Sequence, residues 1–381
     1  MGVGKEPPGL IRVMDKSVVV IGLGNIGLRT LWNLTRRGYN ALGIDSSNSA
    51  VKRARDLGLN AVLGDASSLK SITRSLGVEP RVAVTALPSI IGYSVVEEIA
   101  GEGYSVVDVS FFPEDPRTLG PIARKHGVTI VVDTGIAPGL SNFLVGIARR
   151  KLDARRAYIF VGGISRNPEP PLGIAATWST YDLLEEYVRP ARLIRGGRIV
   201  SVDPLASPRL AVEFPGIGRL EAFPTDGLRT LIYSFPDMDE MIEYTLRRPG
   251  HLDFMEGLSR LGFLDDKPLR LGGCTVSPRE CLARIIERSI SSLEDLVVMK
   301  VEAEGSRGQA MYAVIVEPQD GWSAMSIATA AFQTAVTRYL LENNVPGGLV
   351  YPESFGLSSS ASDAILAYAR EEGLHIEMKS L

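Results

Sequence analysis

The chain of 381 residues carries 41 basic and 44 acidic side chains, a formal charge of −3, with 45% apolar and 22% charged residues. At about 150 residues per domain the length supports two cores, and the composition excludes wholesale disorder. The even charge balance gives no footprint for wrapping nucleic acid or coating a membrane; two cysteines and three histidines leave little for a metal site, and none is expected.

Residues 1–15 include two prolines and three glycines and hold no continuous apolar run, so they read as a flexible arm. A secretory signal needs an apolar stretch of about 7–15 residues and a membrane helix about 20, and neither is found along the chain. A reducing, cytoplasmic location is expected. From Lys16 two textures alternate. Ser17 to Gly22 (SVVVIG) is the β-branched run of a strand buried on both faces. A helix from Asn25 to Arg37 follows, ended by Gly38, then strands at 40–44, 61–63, 82–85, 105–109 and 129–132. Helices are expected between them at 50–57, 67–76, 93–100 and 121–125. Strand–helix alternation at intervals of about 20 to 25 residues predicts a parallel, doubly wound sheet over residues 16–138.

The texture changes at Pro138-Gly139. Tyr158 to Gly163 reads as a strand, 166–173 as a proline-rich loop, and 193–223 as short strands broken by Gly and Pro. Asp237 to Arg248 is expected to be a helix stopped by Pro249-Gly250. Two alternating segments in 294–317 predict an antiparallel hairpin. A long helix rich in Ala and Thr follows Trp322. These features predict an α+β domain inserted at 139–321 and C-terminal helices, 322–381, packing back on the first domain. Cys274 and Cys281 are expected to pack in the core, as is Trp178 beside Ser179.

Gly22-Leu23-Gly24-Asn25-Ile26-Gly27 is GxGxxG between a strand and a helix. The first glycine permits a tight turn, the second close approach of pyrophosphate, and the third close packing of helix on strand. Asp45, ending the second strand, is placed for the ribose hydroxyls of an adenosine half, and its charge repels a 2′-phosphate. The cofactor reading is therefore NAD. Arg53 and Arg55, able to fold toward a phosphate, keep NADP open. Asp65-Ala66 follows the third strand and Ala86-Leu87-Pro88 the fourth, where such a ligand passes; plain turns are the alternative.

Several strings together resemble the saccharopine dehydrogenase family: GLGNIG, GDASSL, TALPS, VDVSFFPED (107–115), VDTGIAPGLSN (132–142), FVGGI (160–164), TWSTYDLLEEYVRPARLIRGG (177–197), EAFPTDGLRTL (221–231) and EYTLRRPGHL (243–252). The stretch from Trp178 to Asp203 and TLRRPGH look most like the L-lysine 6-dehydrogenases of that family. The resemblance, over residues 16–360, implies a Rossmann domain split from a catalytic domain, a homodimer and a small-molecule substrate. It also implies NAD-dependent oxidation of the ε-amine of L-lysine to 2-aminoadipate 6-semialdehyde and ammonia. Such chemistry needs a base, since the ε-amine has a pKa of about 10.4, and a cation for the substrate carboxylate. The candidates are Asp108, Glu114 and His251 for catalysis, Asp226 and Arg247 for substrate, and Ser110 on the cofactor side. Asp108 and Asp133 equally suit helix caps, Glu114-Asp115 a solvated pair, and Arg247-Arg248 the last turn of the expected helix. Alternatives are saccharopine cleavage to glutamate, a carboxynorspermidine-type dehydrogenase, and a nucleotide-sensing regulatory module, which the first 85 residues also resemble.

Overall fold

A computed structural model describes residues 17–168, 172–175, 179–289 and 294–380. The expected arm and Trp178 lie outside them. Strands β1 (Ser17–Ile21), β2 (Asn40–Asp45), β3 (Ala61–Leu63), β4 (Val82–Thr85), β5 (Ser105–Asp108) and β6 (Thr129–Val131) alternate with α1 (Asn25–Arg36), α2 (Asn48–Asp56), α3 (Leu69–Ser75), α4 (Ser89–Gly101) and α5 (Gly120–His126). Helix α6 (Leu140–Leu152) then leads into β7 (Ala154–Ser165), α7 (Thr180–Glu185), β8 (Ala191–Arg195), β9 (Arg198–Val202), β10 (Leu210–Phe214) and β11 (Gly218–Pro224). There follow α8 (Leu231–Ser234), β12 (Glu240–Arg247), α9 (His251–Arg260), β13 (Leu269–Leu271), β14 (Cys274–Val276), α10 (Pro278–Ser289), β15 (Asp295–Gly305) and β16 (Gly308–Val316). The chain continues through α11 (Ala324–Glu342), β17 (Gly348–Val350), α12 (Pro352–Leu357), α13 (Ser359–Glu371) and β18 (Glu377–Ser380).

The doubly wound sheet expected from the sequence is present, with strand order β17-β6-β5-β4-β1-β2-β3 and all pairs parallel. Val18, Val19 and Val20 are fully buried, which is why this strand reads as an unbroken apolar run. The winding reverses between β1 and β4, so a crevice opens at their carboxyl ends, where open α/β sheets bind ligands. A mixed sheet, ordered β10-β11-β12-β7-β15-β16-β18 with β8 and β9 attached through β12, forms the second body. Helices α7, α9 and α10 bury Leu183, Leu252, Met255 and Leu282 in a shared apolar cluster that also takes in Phe223 of β11.

Helix α11 joins the two sheets. It is buried on nearly every side, and small side chains let its neighbours approach closely. Its interior polar groups are paired across elements: Thr30 Oγ1 donates to Gln333 Oε1 (2.8 Å), Gln333 Nε2 to the Thr85 carbonyl (2.9 Å) and Asn33 Nδ2 to Thr334 Oγ1 (3.2 Å). The C-terminal helices thus return to the first domain, and β17 pairs with β6.

Two expectations are corrected. The helix expected over 237–248 is strand β12, held parallel to β7 and antiparallel to β11. Buried on both faces, it lacks the in–out alternation of a half-exposed strand, and its apolar spacing mimics a helix. Arg247 therefore ends a strand, and His251 opens α9 behind a left-handed Gly250. Cys274 and Cys281, expected in the core, are exposed. Helix α10 turns Leu282, Ala283 and Ile286 inward and so leaves Cys281 on the outer face, while β13 and β14 form a peripheral hairpin.

Candidate active site

A cavity of about 600 Å³ lies at the tips of β1, β4 and β5, with the mixed sheet and α7 lining its opposite side. Its first wall is backbone and neutral side chains: Gly24, Asn25 and Ile26, then Ala86-Leu87-Pro88 and Ser110. The glycines behind this wall have physical reasons. Gly22 turns at φ +87°, and a Cβ there would lie 2.4 Å from the Ala86 carbonyl oxygen. A Cβ on Gly27 would lie 1.8 Å from the Gly22 oxygen, so only glycine lets α1 sit so close to β1. A Cβ on Gly24 meets nothing within 4 Å: this residue faces open space at the amino end of α1. Such a helix terminus, unobstructed and fronted by glycine, fits the pyrophosphate of a dinucleotide. Beside it, Asp45 accepts the Leu23 N–H on Oδ2 (2.6 Å) and the Ser47 N–H on Oδ1 (2.7 Å), while Arg53 donates to the Leu23 carbonyl (3.1 Å).

The opposite wall is charged. Asp182, Glu185, Glu186, Asp226, Glu243 and Glu287 face the cavity with Arg189 and Arg247. Residues 243, 245 and 247 all reach it because alternate side chains of β12 share a face. Most of the carboxylates have cationic partners: Arg279 and Arg189 for Glu185, Arg247 for Glu186, Arg192 for Asp226 and Arg284 for Glu287. Asp182 accepts the Ser89 hydroxyl, a bond between the two domains. Among the described residues Glu243 has neutral donors alone, the Thr225 hydroxyl and the Gly227 N–H (3.2 Å), and burial pushes its carboxyl up to about 8. A smaller cavity shares Arg189 and Asp226 with the main one and adds Glu114, Arg192, Arg229 and Tyr233.

The residues singled out from sequence separate into groups. Gly24, Asn25, Ile26, Ala86, Leu87, Pro88, Ser110, Asp226 and Arg247 line the main cavity. Gly22, Gly27 and Asp45 stand behind or beside the cradle. Asp65 caps the short turn at Ala66–Ser68 by accepting the Ser67 N–H and hydroxyl, away from the cavity. Glu114 lines the smaller cavity. Asp108 lies beneath Ser110: it accepts from Thr85 Oγ1 (2.6 Å) and from Ser110 N–H and Oγ (both 2.9 Å), and burial raises it to about 7. Asp226 is clamped by Arg192 through Nε and Nη2 (both 2.8 Å). Arg247, 1% exposed, donates from Nε to Tyr187 (2.9 Å), from Nη1 to the Leu246 carbonyl (3.0 Å) and from Nη2 to Glu186. His251 lies behind Arg247, with Nε2 2.7 Å from the Tyr187 hydroxyl, and burial lowers it to about 3, so its ring is neutral.

Sequence reasoning passed over Glu243, Glu186 and Arg189. Arg189 carries a long ion pair to Glu185 (3.5 Å) and lies 4.6 Å over the Phe111 ring, so much of its guanidinium faces the two cavities. Its signal was present in YVRP, where a proline follows the arginine in the turn beyond α7. Glu243 had none beyond being an acid between the apolar neighbours Ile242 and Tyr244, since its partners lie in the TDG loop.

A glycine-cradled doubly wound sheet facing a charged mixed sheet is the frame on which open α/β folds bind dinucleotides. Residues 135–374 match the saccharopine dehydrogenase C-terminal domain and residues 18–90 the TrkA-N domain. The chain belongs to the saccharopine dehydrogenase family. It is 22% identical over 365 residues to mouse alpha-aminoadipic semialdehyde synthase, covering 90% of this chain and 39% of that protein. It is 23% identical over 300 residues to saccharopine dehydrogenase [NADP(+), L-glutamate-forming] of Saccharomyces cerevisiae, covering 74% of this chain and 66% of the relative. The chain thus spans about two fifths of the mouse relative's length. The structure of apo saccharopine dehydrogenase (L-Glu forming) from Saccharomyces cerevisiae superposes with a TM-score of 0.75 at 17% identity, over 96% of this chain and 99% of that one.

Proposed function

We propose that the protein is an NAD-dependent dehydrogenase that oxidises the ε-amine of L-lysine to 2-aminoadipate 6-semialdehyde, with release of ammonia. The observation that carries this reading is the second wall, where among the described residues Asp182 and Glu243 are carboxylates without an arginine partner and Arg189 keeps a single long ion pair, a setting for a substrate with ammonium groups and one carboxylate. Bound at the Gly24 cradle, the dinucleotide supplies the hydride acceptor. The chain's own residues do the rest. Arg189 holds the single α-carboxylate, Asp182 and Glu243 hold the ammonium groups, and α7 with the mixed sheet forms the wall that faces the cradle.

A second reading, cleavage of saccharopine to glutamate, draws support from the smaller cavity, whose Arg192 and Arg229 beside Arg189 suit additional carboxylates. In both, however, the arginines are engaged: Arg192 by Asp226 and Arg229 by Asp133. Supplying NAD or NADP with lysine or saccharopine and following the reduced nicotinamide separates the readings. Reduction with lysine alone is expected; reduction with saccharopine alone would overturn the lysine reading. For the cofactor, Asp45 supports NAD, whereas Arg53 at the cradle rim and the NADP named for the yeast relative support NADP. Asp45→Ala is expected to weaken NAD far more than NADP, and an unchanged preference would count against Asp45 as the selector. The expected homodimer is checked by light scattering.

A further inference from the structure

Among the described residues lining the main cavity, Glu243 is set apart by its surroundings. Its neighbours on the wall are held by arginines or, for Asp182, tied to the other domain by Ser89. Glu243 instead takes the Thr225 hydroxyl and the Gly227 N–H, both on Oε2. Thr245, 2.8 Å from Thr225 and on the same face of β12, completes a short chain of hydroxyls behind it. The seat is shaped for this side chain: a Cβ on Gly227 would lie 2.6 Å from Glu243 Cδ, so any larger residue would push the carboxyl out. Among the described residues no cation touches the group, and none is needed if a cation arrives with the substrate.

We propose that Glu243 is the proton acceptor for the ammonium group of the substrate in this cavity, a role that rests on the amine-oxidising reading above. In the step itself one N–H bond of the ammonium breaks and one O–H bond forms on the Glu243 carboxylate; no electrons change hands. The product is a neutral amine, whose lone pair can then drive loss of hydride from the adjacent carbon. The charged groups facing Glu243 are Glu186 and Asp226, which raise it further, and Arg247 four residues along the strand. With its carboxyl at about 8, Glu243 is protonated at neutral pH before substrate arrives. An incoming ammonium favours the carboxylate, so binding expels that proton to solvent.

Two measurements test this, one of them independent of turnover. Calorimetric titration of the protein with lysine near neutral pH, in buffers of different ionisation enthalpy, counts the protons exchanged. The wild-type protein is expected to release close to one proton, and Glu243→Gln none. The second is the pH dependence of kcat/KM, which reports groups of the free enzyme and free substrate. In the wild type it should rise with an inflection near 8. In Glu243→Gln it should fall at least ~100-fold and move its inflection toward the free ε-amine value of about 10.4. Glu243→Asp, one methylene shorter, should restore part of the rate and the lower inflection. An E243Q protein that melts like the wild type yet keeps both the rate and the inflection overturns the role of Glu243. A wild type that binds lysine with proton release but never reduces the dinucleotide overturns the reaction and leaves the seat intact, while absence of lysine binding overturns the lysine reading itself.

Discussion

The two walls of the cleft are built on opposite plans. The cradle wall presents backbone and small neutral side chains, and its selectivity is a matter of shape: where Cβ atoms are missing, and where the amino end of α1 points. The facing wall presents six carboxylates and two arginines on β12, α7 and the turn after it, α10 and the loop after β11, so its selectivity is a matter of charge. A ligand common to many proteins can be met by backbone geometry, which tolerates variation in side chains. The partner that differs from protein to protein must be met by side chains that can be exchanged one at a time.

The strongest way to break this contrast is at the glycines. Gly27→Ala forces its Cβ onto the Gly22 oxygen. It is expected to cost about 1–3 kcal/mol of stability and to weaken dinucleotide binding beyond ~100-fold, read by thermal melting and fluorescence titration. Gly24→Ala has free space around it and should melt like the wild type while still losing dinucleotide affinity. Equal melting losses in both variants would mean that the cradle is only a packing device. On the charged wall, Arg189→Ala should raise KM for lysine by ~10- to 150-fold, the equivalent of one charge-assisted contact, and leave dinucleotide affinity alone. A change confined to kcat would remove Arg189 from carboxylate binding.

Smaller effects sharpen the picture. Thr225→Val removes a donor that holds the Glu243 carboxyl down, so the kcat/KM inflection should move up by about one pH unit. A downward movement would contradict the hydrogen-bond direction. The smallest effect is on stability. Burial raises Asp108 and Glu353 to about 7 and Glu243 to about 8, so the native state holds protons there that the unfolded chain releases near 4. These groups add stability at low pH and lose it as pH rises through their native values. His251, lowered to about 3, opposes them below about 6.5, where the unfolded ring gains its proton. The melting temperature should therefore decline as the pH rises from about 5 to 8, most steeply near 6.5 to 7, and Asp108→Asn should flatten that decline.

How much of this could be read from the sequence follows the same division. The parallel sheet was legible because its strands are short apolar runs that alternate with helices, the first strand strongly β-branched, and GxGxxG sits where such a sheet binds its ligand. The cradle residues could be named because their roles are local in sequence. On the other wall the reading faltered. EMIEYTLR looks helical by spacing because both faces of β12 are buried, a fact set by β7 and β11, far away in the chain. Arg247 was chosen for its place in a distinctive string, yet its three nitrogens are already occupied by Tyr187, Leu246 and Glu186. Glu243 was missed because what makes it unusual, two neutral donors and no cation, is assembled from residues about a strand and a loop away.

The pairing of β17 with β6 has a consequence for the order in which the molecule is made. Gly348 to Val350 complete the edge of a sheet whose preceding strand ends at Val131. Helix α11, which covers α1 and bonds the end of β4 through Gln333, also arrives late. On a ribosome adding about 5–20 residues per second, the first sheet would wait roughly 10 to 40 seconds for its last strand. During that interval the open edge at β6 and the uncovered face of α1 are the surfaces most exposed to wrong partners. A nascent chain halted after β16 should therefore bind chaperones far more avidly than the finished one.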